Sequence, residues 1–546
     1  MTNASHLSYA CYPIEKNRKL AQNVCITSNR KIGGGLAACF LFPLLVFGQI
    51  RRHEFVLIDD NVHLQENRYL QPPTWKNTKG FWRAPFLGLY IPVTYSLWSA
   101  EAKLAYSAQG KGLDPGVFHE VSIALHAANT VLCFLLFLSL MEPFAALLAA
   151  LFFSLHPVQA EAVAWASAQK DLLCGFFSLL ALWQYTRFCQ DRRRVRYAVA
   201  TVSFLLALLS KPASVGLAAV AWAIEVGVIG RKPKDSFKWL WPWLFLAIPI
   251  LGITKVLQPD QHIGPVLPWW QRPLIAFDTL AFYIAKTIVP IRLAPDYSRA
   301  PDVLIHHWMA YFSWLIPLIF GFLFARKVRG WHFIAIIFIA GILPVLGLVP
   351  FYFQVFSTVA DRYLYLSLLS PALVFGRLLP PRFWGRLAGC AVLVVFSLLS
   401  FEQAGKWRDS LTLFEHTLKV NPGSLLAHNN LGAILEEKGR YDEAYKHYAS
   451  SVKLAPDSVP PLYNIARLQA MKGNFKLAKP LFYEVLRMQP DVAEAHQSLG
   501  AIFAKEKNWN EAEKHLMIAL QIRPESEKIR DLLKSVQDNR ANLKKN

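Results

Sequence analysis

Long apolar runs separated by short polar segments dominate the chain up to about residue 403. A helix that crosses a bilayer needs about 20 mostly apolar residues. Runs that reach or nearly reach this length lie near 32–50, 118–140, 144–158, 172–188, 196–210, 213–230, 238–255, 308–325, 331–350, 363–379 and 386–403. The pattern predicts a polytopic membrane body of about eleven spans over residues 32–403, preceded by a cytoplasmic segment over 1–31.

One further apolar stretch, 274–291, conflicts with the distribution of basic residues. Basic clusters beside membrane spans usually face the cytoplasm. They lie here at 192–194, 231–234, 326–329 and 377–386. If 274–291 crossed the membrane, the later clusters would face the wrong side, so we expect it to be re-entrant or interfacial. With an odd number of spans, the first loop, 51–117, and the part after residue 403 lie outside the cytoplasm.

The hydrophobic pattern changes in the last part of the chain, 404–546, where it acquires a 34-residue period. Proline, aromatic and alanine positions each recur in this register: Pro422, Pro456, Pro490 and Pro524; Tyr441, Phe475 and Trp509; Ala444, Ala478 and Ala512. This period, with small residues where two helices touch, is typical of tetratricopeptide repeats. The expected fold is therefore all-α, a membrane helical body followed by an extracytoplasmic α-solenoid whose concave face holds a peptide.

Composition supports this division and excludes several classes of protein. A chain with 54% hydrophobic and 17% charged residues is too apolar for an ordinary soluble protein. Lys and Arg outnumber Asp and Glu by 58 to 37, but much of the excess lies beside apolar runs, so we expect no nucleic-acid partner. None of the seven Cys lies in the repeats, and no disulfide framework is implied. The sequence also lacks a Gly-rich phosphate loop, zinc-ligand spacing and a nucleophile elbow.

The first candidates for chemistry are Asp59 and Asp60, adjacent carboxylates beyond the first apolar run. Ionisable groups at the edge of a membrane segment are costly and are often functional. Other ionisable groups are expected on the same face: His156, Glu161, Lys170, Asp171, Lys211, Asp296, Asp361 and Arg362. Such a set could bind a lipid phosphate through its cations while a carboxylate takes a proton from an acceptor hydroxyl.

Each candidate also has a structural interpretation. Asp59 and Asp60 could begin a solvated turn, and His156 could simply close a helix before Pro157. Lys170 and Lys211 could extend to the membrane interface from buried stems. Asp361 and Arg362 could form a structural ion pair. The amphipathic, aromatic segments between residues 75 and 98 favour helices that lie in the outer interface.

Several short motifs, taken together and in order, resemble one family. They are Asp59-Asp60-Asn61, Leu155-His156-Pro157-Val158, Lys170-Asp171-Leu172-Leu173, Ser210-Lys211, Pro295-Asp296-Tyr297-Ser298 and Asp361-Arg362-Tyr363-Leu364-Tyr365-Leu366. With the repeats, they are similar to the transmembrane, tetratricopeptide-repeat O-mannosyltransferases of animals and their bacterial relatives. The chain departs from that family in having few repeats and in carrying Ser367 where a proline is expected.

The resemblance implies a GT-C glycosyltransferase fold, with an acidic motif in the first outer loop and a donor sugar carried on polyprenyl phosphate. It implies that Asp59 or Asp60 is the general base or a carboxylate that binds the acceptor, and that the other ionisable candidates bind the donor. The expected reaction is transfer of mannose or a similar hexose to a Ser or Thr hydroxyl of a protein, presented through the repeats. No cofactor is assigned, and help from a divalent cation is left open.

Two other functions remain open at this point. The acceptor could be a lipid or a surface polysaccharide rather than a protein. Alternatively, the chain could be a non-catalytic membrane scaffold that assembles an envelope machine through its repeats. The absence of Asn-x-Ser/Thr sequons and Cys pairs in the outer regions favours a bacterial inner membrane, with the repeats in the periplasm.

Overall fold

The computed structural model describes residues 18–106, 112–257, 267–327, 330–379 and 383–545. Helices make up the fold in these ranges, and they contain no β-strand, only three isolated bridges. The predicted all-α class is therefore confirmed. The helices of the body are α1 (Arg18–Phe47), α2 (Trp75–Arg83), α3 (Pro92–Ala105), α4 (Pro115–Leu138), α5 (Pro143–Leu155), α6 (Gln159–Ala164), α7 (Gln169–Asp191), α8 (Arg194–Ser210), α9 (Leu217–Ala223), α10 (Pro233–Leu257), α11 (Arg272–Ile288), α12 (Pro301–Leu304), α13 (Leu315–Lys327), α14 (Trp331–Ile342), α15 (Leu369–Leu378) and α16 (Phe383–Gly405).

Many helices of the body are apolar enough to lie in a membrane. Six segments in the described ranges are also long enough to cross it: Ile32–Arg52, Pro115–Leu138, Ala166–Asp191, Pro233–Leu257, Trp308–Arg326 and Phe383–Gly405. Shorter apolar helices occupy Pro143–Leu155, Pro212–Val228, Trp331–Val345 and Leu369–Leu378. The chain is thus a membrane protein. The count of about eleven spans and the re-entrant course of 274–291, most of which lies in α11, stay predictions.

A buried polar network holds the segment after Arg362 against α4. The Tyr365 hydroxyl lies 2.9 Å from His126 Nδ1, and Asn129 Nδ2 donates to the same hydroxyl at 2.8 Å. His126 and Asn129 are fully buried, and buried polar groups are stable only when they are hydrogen-bonded. The network therefore fixes the position of the Asp361 segment relative to the core helices.

The loop that carries Asp59, together with α3, is folded onto the start of α7 rather than extended. Trp98 on α3 is fully buried, and its Nε1 donates to Gln169 Oε1 at 2.8 Å. Gln169 Nε2 in turn donates to Glu101 Oε1 at 3.0 Å and to the carbonyl oxygen of Phe118 at 2.7 Å. These contacts bring the loop that carries Asp59 close to the segment that carries Lys170.

The carboxyl-terminal helices form the predicted solenoid: α17 (Ser410–Val420), α18 (Leu425–Glu437), α19 (Tyr441–Leu454), α20 (Val459–Met471), α21 (Phe475–Met488), α22 (Ala493–Lys505), α23 (Trp509–Ile522) and α24 (Glu527–Lys545). The alanines in register, Ala444, Ala478 and Ala512, are fully buried where paired helices touch. Gly439 and Gly473 adopt φ of 74° and 80° in the turns between helices, a conformation that glycine takes readily. Lys507 occupies the equivalent place with φ of 59°.

Candidate functional site

Asp60 is a buried carboxylate whose two oxygens are both occupied. Its Oδ2 accepts a hydrogen bond from the backbone N–H of Val56 at 3.0 Å, and its Oδ1 accepts one from that of Ser167 at 2.8 Å. Burial raises the pKa of Asp60 to about 6. Asp60 therefore ties the loop after α1 to the short turn Ala166–Ala168, which directly precedes α7.

Asp59 has a different environment from its neighbour. Its side chain is 38% exposed, and its Oδ2 lies 3.5 Å from Lys170 Nζ. Partial burial acts to raise the pKa of Asp59, but the nearby positive charge of Lys170, with that of Arg362, makes the net shift downward. Asp59 is thus an ionised carboxylate with an open side, as a general base requires.

Three cations from different segments lie around two aromatic rings beside Asp59. Lys170 Nζ lies 5.4 Å from the centroid of the Trp165 ring, and Arg362 Cζ lies 5.0 Å from the same centroid. Arg362 Cζ is also 4.7 Å from the Tyr363 ring centroid, and Lys211 Nζ is 5.3 Å from it. Aromatic faces attract cations, so the rings help to hold three positive charges together.

Two of these cations are bound tightly by buried carboxylates. Glu161 pairs with the Arg362 guanidinium and also accepts from the backbone N–H groups of Asp361 at 2.9 Å and Arg362 at 3.3 Å. Lys211 pairs with Asp171, whose Oδ2 has no hydrogen-bond partner among the described residues. The contact of Lys170 with Asp59 is longer than either. Lys170 is therefore the least constrained of the three cations.

The cleft between these groups is narrow. Asp171, Lys211, Arg362, Tyr363 and Tyr365 line it, and its volume is about 30 Å³. Such a space holds about one or two water molecules. A phosphate group would therefore enter only if the surrounding side chains moved.

Two of the other predicted residues, Asp361 and His156, have their main contacts outside the cation cluster. Asp361 is buried and accepts a hydrogen bond from the Tyr297 hydroxyl at 2.8 Å, and Arg362 pairs with Glu161 rather than with Asp361. His156 is the residue that caps the end of α5. Its Nε2 bonds to the carbonyl oxygen of Thr287 at 3.1 Å. None of the hydrogen bonds of His156 in the described part of the chain reaches another candidate.

Asp296 joins the body to the repeats. Its Oδ2 accepts from the Ser424 hydroxyl at 2.5 Å, and its Oδ1 accepts from the Ser298 backbone N–H at 2.8 Å. Ser424 is the residue that caps the beginning of α18, the first helix of the first full repeat. Burial raises the pKa of Asp296. Its contacts place it at the junction between domains rather than at the cation cluster.

The structure thus brings together Asp59, Glu161, Lys170, Asp171, Lys211 and Arg362, with Asp361 directly behind them. No role was predicted from the sequence for Trp165 and Tyr363, two of the rings that contact the cations. Their signal in the sequence is weak: Tyr363 directly follows Arg362, but Trp165 lies five residues before Lys170. Over the described ranges, no group of three or more His, Cys, Asp and Glu side chains is arranged to hold a metal ion.

Comparisons with known proteins agree with the resemblance of the motifs. A family model for the tetratricopeptide repeat matches residues 399–459 and 463–527. Protein O-mannosyl-transferase TMTC4 of Homo sapiens is 24% identical over 479 residues, which cover 72% of this chain and 63% of that protein. Protein O-mannosyl-transferase F38B6.6 of Caenorhabditis elegans is 26% identical over 342 residues, covering 58% and 48%. Protein O-mannosyl-transferase TMTC3 of Mus musculus is 23% identical over 447 residues, covering 70% and 47%.

The chain is therefore a relative of the proteins named O-mannosyl-transferases, as the motifs predicted, and its carboxyl-terminal part consists of tetratricopeptide repeats. It spans about 63% or less of the length of these relatives. Among solved structures, the tetratricopeptide-repeat domain of P58(IPK) matches with a TM-score of 0.27 and 14% identity, over 70% of this chain and 96% of that one. A likeness this weak carries no argument about function.

Proposed function

We propose that this chain is a membrane glycosyltransferase that moves mannose or a similar hexose from a polyprenyl-phosphate donor to a Ser or Thr hydroxyl of a protein. The half-exposed carboxylate of Asp59, beside a cluster of three cations from distant segments, is the observation that carries this proposal. The names of the relatives supply the reaction class. The reaction takes place on the extracytoplasmic face of a bacterial inner membrane, with the repeats in the periplasm.

In this mechanism Asp59 acts on the acceptor. Its carboxylate takes the proton from the acceptor hydroxyl as the hydroxyl oxygen forms a bond to the anomeric carbon of the sugar. The bond from that carbon to the donor phosphate oxygen breaks, and the polyprenyl phosphate leaves with both electrons. Proton removal of this kind typically contributes about 10² to 10⁴ in rate.

The cations act on the donor phosphate, whose negative charge increases as the sugar leaves. Lys170 is the first contact because its Nζ is only loosely paired, 3.5 Å from Asp59 Oδ2. When Lys170 turns to the phosphate, Asp59 loses a competing partner and becomes free to accept a proton. Lys211 and Arg362 add positive charge in a poorly hydrated site, where electrostatic stabilisation is strongest.

The repeats are attached to the loop that carries Asp59, which supports a role in presenting the acceptor. The backbone N–H of Leu57 donates to the Ser410 hydroxyl at 3.0 Å. The side chains of Leu57 and Ile58 pack into the apolar core of the first repeat, beside Phe414 and Leu431. Ile58 directly precedes Asp59, so an acceptor held by the repeats would be delivered close to the base.

The test is a transfer assay with the full chain in liposomes that contain radiolabelled mannosyl-phosphoryl-polyprenol. Peptides rich in Ser and Thr serve as acceptors. We expect label to enter peptide and to be released by alkaline β-elimination, which identifies a link to Ser or Thr. Label that enters only lipid or polysaccharide would overturn the proposal that the acceptor is a protein. Failure to consume any of a panel of polyprenyl-phosphate hexoses would overturn the proposal that the chain is a glycosyltransferase with this class of donor.

The role of Lys170 is tested separately by donor binding. Lys170→Gln removes a charge-assisted contact to phosphate, and we expect donor affinity to fall by about tenfold. Lys103→Gln is the matched control, because Lys103 is exposed on α3 in the same loop and forms none of the ion pairs that hold the cluster in the described part of the chain. Equal donor affinity in both variants would show that Lys170 does not bind the phosphate.

A further inference from the structure

A second cavity lies at the opposite end of the helical body from Asp59. It is enclosed by the turn before α5, the end of α15 and the start of α16. Because α5 ends at Leu155, just before the segment of Glu161 and Lys170, its beginning at Pro143 lies away from the candidate site. The length of α5 separates the two places by roughly 20 Å. The cavity volume is about 270 Å³.

The lining of this cavity is charged. Two guanidiniums, those of Arg377 and Arg386, line it together with one carboxylate, that of Glu142. Arg386 Cζ lies 4.8 Å from the Phe144 ring centroid, and this ring holds it without neutralising it. Among the residues that the structure describes, neither arginine forms an ion pair. The cavity therefore carries a net positive charge.

The close packing of two helices gives the cavity a rigid base. A Cβ added at Gly376 would lie 2.8 Å from the carbonyl oxygen of Ala145, so α15 and α5 touch there without an intervening side chain. The cavity is slightly smaller than ordinary small-molecule pockets, which span about 300 to 1,000 Å³. It matches a headgroup rather than a whole lipid.

Apolar side chains beside the cavity face the surroundings. Leu378, Phe383, Trp384 and Leu387 are 55%, 70%, 76% and 49% exposed. They lie at the end of α15 and the start of α16, a helix long and apolar enough to cross the membrane. Acyl chains would cover these side chains in a bilayer, while a headgroup reaches the arginines. Basic pockets between membrane helices commonly hold anionic headgroups in this way.

We propose that this cavity, lined by Arg377 and Arg386, binds the phosphate of an anionic glycerophospholipid in the leaflet opposite to the candidate site. The sequence explains these arginines only as part of a cluster that sets membrane orientation. Orientation requires charge on one side of the membrane, but it does not require two unpaired guanidiniums around one cavity. This binding site is independent of the proposed transfer reaction.

The test uses the purified full chain in a neutral detergent, with phosphatidylglycerol as the probe. Phosphatidylcholine with the same acyl chains and inorganic phosphate are the comparison ligands. Native mass spectrometry counts bound lipid, and the thermal unfolding midpoint reports stabilisation. We expect phosphatidylglycerol to bind about tenfold more tightly than phosphatidylcholine, and inorganic phosphate to leave the midpoint unchanged. Equal binding of the two lipids to the unaltered chain would overturn the proposal. Full stabilisation of that chain by inorganic phosphate alone would also overturn it.

The double variant Arg377→Gln/Arg386→Gln should lose this preference for phosphatidylglycerol. Arg194→Gln is the matched control, because Arg194 is an exposed arginine at the start of α8 and lies outside the cavity. If the double variant does not fold, the single variant Arg386→Gln should still reduce the preference. An undiminished preference in the folded variants would contradict the assigned site.

Discussion

Two ion pairs, one in the helical body and one in the repeats, lie in opposite environments. In the repeats, Arg440 and Glu443 pair with side chains that are 51% and 50% exposed. In the body, Arg362 and Glu161 pair with side chains that are 7% and 2% exposed. A surface pair contributes little to stability, whereas a buried pair loses the hydration of both charges. Buried pairs concentrated beside Asp59 therefore indicate a site retained for its charges, not for its contribution to stability.

The repeats also contain a buried carboxylate, Glu436, but its partner Arg467 has a side chain that is 37% exposed. Two pairs of buried or half-buried histidines recur with the fold. His428 and His447 are joined through their Nδ1 atoms at 3.0 Å, and His496 and His515 are joined in the same way at 2.9 Å. The two pairs are separated by two 34-residue periods. In the repeat between them, Leu462 and Leu481 take the same positions. The repeats thus give their buried carboxylate a partner that reaches solvent, whereas in the body both members of the Arg362–Glu161 pair are buried.

Breaking the buried pair should have the largest effect on stability. Glu161→Gln leaves the Arg362 guanidinium buried without its carboxylate, and we expect a loss of about 3 to 5 kcal/mol in the free energy of unfolding. The thermal unfolding midpoint of the full chain in detergent measures it. The double variant Glu161→Gln/Arg362→Met removes both charges and should regain part of the loss. A midpoint that Glu161→Gln leaves unchanged would show that the pair is not buried as described.

The histidine pairs predict that acid weakens the repeats. Burial lowers the pKa of His515 to about 4 from an ordinary value near 6.5, and it lowers the pKa of His496, His428 and His447 as well. A lowered pKa means that the unfolded chain binds protons more readily than the folded chain. The stability that the neutral histidines give to the repeats is therefore complete above pH 6.5 and is lost as the pH falls towards 4. We expect the repeats to lose stability between pH 7.5 and 5, with the largest contribution from the His496 and His515 pair.

Hydrogen exchange of the repeat helices in the full chain measures this loss. The control copies the intervening repeat by replacing His496 and His515 with leucine, the residues found at Leu462 and Leu481. Protection of α22 and α23 should then become independent of pH over this range. If the acid effect persists in this variant, its origin lies outside the His496 and His515 pair.

Removal of a surface pair should have the smallest effect. Glu443→Gln eliminates the ion pair with Arg440 on α19, where both side chains face water. We expect no measurable change in the unfolding midpoint, because solvent and salt already screen such a pair. A clear fall in the midpoint would remove the contrast between the two regions.

The repeats were predictable from the sequence because their contacts are local and periodic. A 34-residue spacing fixes which alanines are buried and where the turns between helices lie. The members of the candidate site were also predictable, since each cationic or acidic motif lies at the end of an apolar run. Their partners were not predictable. Arg362 pairs with Glu161, 201 residues away, and not with its neighbour Asp361.

The roles of Asp59 and Asp60 could not be separated from sequence either. The difference depends on the backbone N–H of Ser167, which is 107 residues distant and occupies an oxygen of Asp60 but none of Asp59. His156 has the structural position that its neighbour Pro157 suggested, at the end of α5. Asp296 lies at the domain junction because Ser424 caps α18 there, a contact that no motif indicates.

The most direct test of Asp59 as the general base compares sugar transfer by Asp59→Asn and Asp60→Asn in liposomes with the same donor and acceptor. Asn keeps the shape of Asp and removes its charge. Asp59→Asn should lower the transfer rate by about 10² to 10⁴ while the unfolding midpoint stays near that of the unaltered chain. Asp60→Asn should lower the midpoint, because a buried hydrogen bond to Val56 or Ser167 is lost, while the folded fraction stays active. Full transfer by Asp59→Asn, with transfer abolished in folded Asp60→Asn, would contradict the assignment of Asp59 as the base.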